Sequence, residues 1–94
     1  MSGDYKVGDL VISTTGRDKD RCYLVLTVDE ASRLGLVDGR VRRVENPKQK
    51  NSKHVKHLNL QAEELASKIA AGGIPSNLEV RKVITELTAN LGED

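Results

Sequence analysis

The chain contains no tryptophan and no phenylalanine, and its only tyrosines are Tyr5 and Tyr23. Reading single-stranded nucleic acid usually means stacking bases on aromatic rings, so stacking is at most a minor term in any such contact made here. Cysteine is almost as scarce: Cys22 stands alone. It cannot close an internal disulfide, which fits a reducing cytoplasm. No run approaches the ~18 apolar residues of a membrane span, and "MSGDYKVGD" lacks the charged-then-apolar order of a signal peptide. A cytoplasmic protein with no membrane partner is expected. Gly-rich phosphate fingerprints, His-Glu-x-x-His and Cys-x-x-Cys spacings are also missing. His54 and His57 could offer two imidazoles to a metal if helical, but two ligands make an incomplete site, and in a strand a spacing of three sets them on opposite faces. Cys22 heads an apolar run with no obvious base nearby, and is expected as a small buried hydrophobe. No nucleophile, base and orienting group come together, so neither an enzyme nor a cofactor or metal protein is expected.

What is present is one domain's worth of chain. With 94 residues, 37% of them hydrophobic and 8 further glycines, the composition is that of a small globular protein. The net charge of +1 conceals a strong asymmetry. Residues 1–39 carry five Lys or Arg against seven acids, residues 40–57 carry seven against one, and residues 58–94 carry three against six. The middle block, net +6, is as concentrated as a nucleic-acid-binding surface.

Two textures divide the chain. Up to about Leu58 the apolar residues form short runs rich in β-branched types, "LVIS", "CYLVLTV", "LGLV" and "VRRV", bounded by Gly, Asp or Asn. These predict four or five strands. Asp38-Gly39 between two runs predicts a tight hairpin with Gly39 at positive φ. In "RCYLVLTV" both alternating sets are apolar, so that strand is expected to be covered on both faces, as in a small closed barrel with a helix over it. Gly35 suggests a bulge or close backbone approach. "ENPKQKNSK" reads as the one polar loop. Beyond Leu58 the period becomes helical. "NLQAEELASKIAAGG" predicts a short helix with Glu63 and Glu64 at its start and Gly72-Gly73 as its stop. Ser76 and Glu79 at capping-box spacing open a second, with Val80, Val83, Ile84, Leu87 and Leu91 on one stripe and Gly92 closing it. The expectation is an α+β chain, a barrel over residues 1–58 and a helical hairpin over residues 59–94, docked on the barrel or on a partner.

"STTGRDKDR" sets Arg17, Lys19 and Arg21 among acids around Gly16; such a loop is either plain solvated surface or a contact site. With its flanks, "VGDLVISTTGRDKDRCYLVLTVDE" resembles the KOW motif of ribosomal and transcription-factor proteins: a Gly-Asp opening, an apolar strand, a Gly-basic-Asp-Lys loop and a second apolar strand. "LVDGRVRRVENPKQKNSKHVKHL" is similar to the continuation in the eukaryotic-type ribosomal protein L-fourteen-e group and its small bacterial KOW-domain relatives. The resemblance covers about residues 6–60. It implies a small SH3-like β-barrel that binds structured RNA, ribosomal RNA above all, without catalysis and without a cofactor. The contacts it implies are Arg40, Arg42, Arg43, Lys48, Lys50, Lys53, His54, Lys56 and His57, with Arg17, Lys19 and Arg21 in the Gly16 loop. Many KOW motifs carry a second glycine where this chain has Asp20, so the later block is given more weight. Arg and Lys would grip phosphate oxygens, which positions a protein on folded RNA without reading sequence. The other reading is a protein-interaction module that uses the barrel or the stripe of the last helix.

Overall fold

The structure, a computed structural model, describes residues 5–89. Five strands, β1 (Asp9–Ser13), β2 (Cys22–Val28), β3 (Arg33–Val37), β4 (Lys48–Asn51) and β5 (Val55–Gln61), form one antiparallel sheet in the order β4-β3-β2-β1-β5. Two helices follow, α1 (Glu63–Ala70) and α2 (Asn77–Thr88). A single 3-10 turn, Ser52–His54, joins the two edge strands.

The two apolar sets of β2 do face two cores. Leu24 and Leu26 join Leu10, Val37, Ala62, Leu65 and Val80 in a cluster between the sheet and the helices. Tyr23 and Val25 join Val11, Leu34, Leu36 and Val55 on the opposite face. Among the described residues no helix residue joins that second cluster. Gly35 lies opposite Thr27, where the β2–β3 register shifts, and a Cβ there would collide with the Thr27 hydroxyl. The close approach expected of Gly35 is therefore real. Ser76 and Glu79 form the capping box, each bonding the other's backbone N–H. Of the helical stripe, Val80 is fully buried, and Val83, Ile84 and Leu87 lean on the first cluster. Leu91 and Gly92 lie outside the described residues.

Between β3 and β4 the chain departs from expectation. "VRRV" is not a strand; residues 39–46 are turns, because the Asp38 carboxylate accepts the backbone N–H groups of Arg40 and Arg42 at 2.9 Å each and winds the segment around itself. Asp38-Gly39 is thus a capped turn and not a tight hairpin, although Gly39 has the expected positive φ, +79°. The fourth strand is instead "KQKN", inside the stretch read as loop, with Lys48 opposite Leu36 and Lys50 opposite Leu34. That register turns both lysines toward the enclosed core.

Candidate functional site

The loop between β1 and β2 is built around a buried carboxylate. Asp18 Oδ1 accepts hydrogen bonds from Ser13 Oγ at 2.9 Å and Lys50 Nζ at 2.8 Å, and Oδ2 accepts from Tyr23 Oη at 3.2 Å. Lys48 Nζ lies 3.2 Å from Oδ2. Burial alone would raise the Asp18 pKa, but the hydrogen bonds from Lys50, Ser13 and Lys48 outweigh it and hold the carboxyl well below the usual carboxylate range. Burial, with the Asp18 charge beside it, pushes the Tyr23 phenol up to about 12, so its O–H stays a donor. Lys50 also donates to the Ser13 hydroxyl and the Thr15 carbonyl, which uses all three ammonium hydrogens. The loop is closed by Asp20, whose N–H reaches the Ser13 carbonyl at 2.8 Å from a left-handed φ of +73°. Asp20 occupies the conformation that a glycine would take without cost, and Asp is among the few other residues that tolerate it.

Lys50 is therefore not a surface contact, contrary to expectation. An inward register and an acid in reach bury its ammonium. His57 is likewise withdrawn: its Nε2 lies 2.9 Å from Asp9 Oδ2, its Nδ1 accepts the Asn59 N–H at 2.7 Å, and Tyr5 stacks on the ring. An acceptor at Nδ1 leaves the proton on Nε2, directed at Asp9. His54 and His57 line different clefts, so no common point lies between the two imidazoles.

Most of the remaining cations fall into two groups. The first surrounds an open cleft of about 500 Å³, lined by Thr15 of the Gly16 loop, Arg33, Lys48, Gln49, Lys50 and Asn51 of the sheet edge, and His54 of the 3-10 turn. The Thr14 N–H donates to the His54 carbonyl at 3.0 Å, which ties the loop to the turn. Lys53 is exposed on that turn, and Arg17 and Lys19 are exposed on the loop. Arg33 was not anticipated; it becomes visible only when β3 is paired with β4 and sits opposite Asn51. The second group lies against α2. Arg21 and Arg40 line one recess with Cys22, Asp38, Arg81, Ile84 and Thr85. Arg81 was also missed, because the helix was read for its apolar stripe alone. Cys22 is half-buried rather than buried, and burial pushes its thiol up.

Arg42 and Arg43 join neither cleft lining. The Arg42 carbonyl accepts the N–H groups of Asp38 and Gly39, and Arg43 Nε lies 3.4 Å from Glu45. Lys56 is exposed on β5 opposite Ile12, which is itself opposite Cys22. Lys6, Arg17, Lys19, Arg21, Arg33, Arg40, Arg42, Lys53, Lys56, Arg81 and Lys82 have no carboxylate partner among the described residues. No family model matches the chain, and no curated protein is significantly similar to it in sequence.

Proposed function

We propose that the chain is a non-catalytic RNA-binding domain of the SH3-like KOW type, and that it grips the phosphate backbone of structured RNA in the cleft between the Gly16 loop, β4 and the 3-10 turn. One observation carries this reading. Arg33, Lys48 and His54 line an open cleft that has no carboxylate in its lining, and the buried Asp18 that Lys48 and Lys50 reach lies outside that lining. A phosphate entering there meets donors with no exposed carboxylate among the lining residues. Both tyrosines are occupied elsewhere, Tyr23 on Asp18 and Tyr5 on His57 and the Val55 carbonyl, which favours backbone contact over base stacking. The meander order, with the fifth strand returning beside the first and a helix-free core on one face, suits a small barrel. Ribosomal RNA in the cytoplasm is the target that the sequence resemblance favours. Among the described residues no helix is long and apolar enough to cross a membrane. Val80 of the α2 stripe is fully buried and Val83, Ile84 and Leu87 pack partly on the chain's own core, which favours the RNA reading over a protein contact through that stripe.

The test is salt-dependent binding of a labelled RNA duplex. Four phosphate contacts give a log–log slope of roughly −3, and hence a loss of about a hundredfold between 50 and 200 mM salt. Arg33→Glu with Lys53→Glu is expected to weaken binding to every duplex by a similar factor and to flatten the slope, since phosphate contacts carry no sequence information. Unchanged affinity and slope in a folded double variant would remove this cleft from the interface.

A further inference from the structure

The recess against α2 is separate from the cleft just described, and nothing in the KOW resemblance assigns a role to the helix. Leu78, Arg81, Lys82 and Thr85 occur at i, i+3, i+4 and i+7, one face of α2, opposite the stripe that enters the core. With Arg40 and Glu86 they line a shallow groove of about 270 Å³, and the neighbouring recess of about 220 Å³ adds Arg21. Arg40 and Arg81 border both, so the two form one surface. Its donors are three guanidinium groups, an ammonium and a hydroxyl. Asp38, one of its two acids, already accepts the N–H groups of Arg40 and Arg42. Arg81 is held toward the turn by a 3.4 Å contact from Nη1 to the Gly39 carbonyl, which fixes its stem while leaving its other N–H donors.

One loop connects this surface to the first cleft. The Gly16 loop lies between them: Thr15 lines the first, Arg21 lines the second, and Arg17 and Lys19 are exposed on the stretch between. We infer that α2 is part of the RNA interface, and that one phosphate chain runs from the β4 cleft across the Gly16 loop onto Arg21, Arg40, Arg81 and Lys82. The inference rests on the RNA-binding reading. A polyanion with regularly spaced charge suits a track of cations on three successive elements, whereas an acidic peptide has no need of that continuity. Leu78 is the one large exposed apolar residue in the groove's lining, too little for an apolar docking patch.

The experiment uses the full chain and a 20-base-pair RNA duplex as probe. Arg81→Gln with Lys82→Gln is expected to reduce the slope by about 1.4–1.8, the equivalent of two contacts, and to weaken binding at low salt. Lys82→Glu alone, at an exposed position, gives the same direction if the double variant folds poorly. Cys22 lines the recess and supplies a second readout: bound duplex is expected to slow its alkylation by a maleimide severalfold. An unchanged slope with unprotected Cys22, while Arg33→Glu and Lys53→Glu still weaken binding, overturns the inference and leaves the β4 cleft as the whole interface. If neither set of variants matters, both readings fall. Protection of Cys22 by poly-glutamate but not by the duplex assigns the surface to an acidic protein and also overturns the inference.

Discussion

Asp18 shows how a single buried side chain can fix the shape of a loop. With Ser13, Tyr23, Lys48 and Lys50 all directed at it, Asp18→Asn leaves the Lys50 ammonium buried and uncompensated, and is expected to cost about 3 kcal/mol at neutral pH. The penalty should depend on pH. The Asp18 pKa is depressed in the folded chain, so the stability it contributes is complete above the unfolded carboxyl value of about 3.9 and is lost as pH falls below it toward the folded value. Urea melts between pH 7 and pH 3 should therefore show the wild-type advantage over Asp18→Asn shrinking on the acid side. Gly39 is a second such residue. A Cβ there would strike the Asn77 carbonyl and Arg81, and φ is +79°. Gly39→Val should lower stability by roughly 2–4 kcal/mol, read as a fall in the thermal midpoint. Gly39 was legible because Asp-Gly in a turn has a local cause. The fate of Lys50 was not, since nothing in "KQKN" says that an acid thirty-two residues earlier will receive its ammonium.

Elements were legible where their pattern is generated within them. The capping box of α2, its stripe and the double-sided β2 follow from spacing alone, and the structure has all three. β4 defeated that logic because its inward positions are lysines, so the alternation that marks a strand is polar on both faces. "VRRV" failed for the opposite reason: its β-branched ends suit a strand, but the Arg42 N–H goes to the Asp38 carboxylate and the Val44 N–H to Asn77, neither to a strand partner. The attachment of α2 can be measured directly. Val80 is fully buried between sheet and helix, so Val80→Asp should destabilise by more than about 3 kcal/mol, whereas Leu87→Asp, at a partly buried position, should cost less. Thermal denaturation ranks the two. Equal, negligible effects would mean that α2 is not held by its stripe. The helix is also pinned at its start, where Asn77 accepts the Val44 N–H at 2.8 Å and donates to Glu45 at 2.7 Å, so a loop of the basic block and the N-terminus of α2 move as one piece.

On the scale of the whole molecule, the charge asymmetry along the sequence becomes an asymmetry in space through topology. The β1–β2 loop, the β3–β4 connection and the start of β5 all follow from strand ends that the antiparallel order brings together, which is why the Gly16 loop lies beside Arg40 on one side and His54 on the other. The sequence block told of the charge but not of its division into two clefts, because that division depends on where α2 lies. The same topology biases the order in which the strands pair. β1 finds β2 nearby along the chain, with Ile12 paired to Cys22, but it pairs with β5 only across a much longer loop, Ser13 to Val55. Closing that loop carries the larger entropic cost. A chain halted after His54 holds the Gly16 loop, β4 and nearly every cation of the basic block, yet lacks β5; it should give the amide spectrum of an unfolded polypeptide. The wall formed by Thr14 on His54 thus has no support until β5 is in register. During synthesis the basic block leaves the ribosome before β5 does, so the nascent chain carries that positive charge on an unclosed segment before the fold that organises it can form.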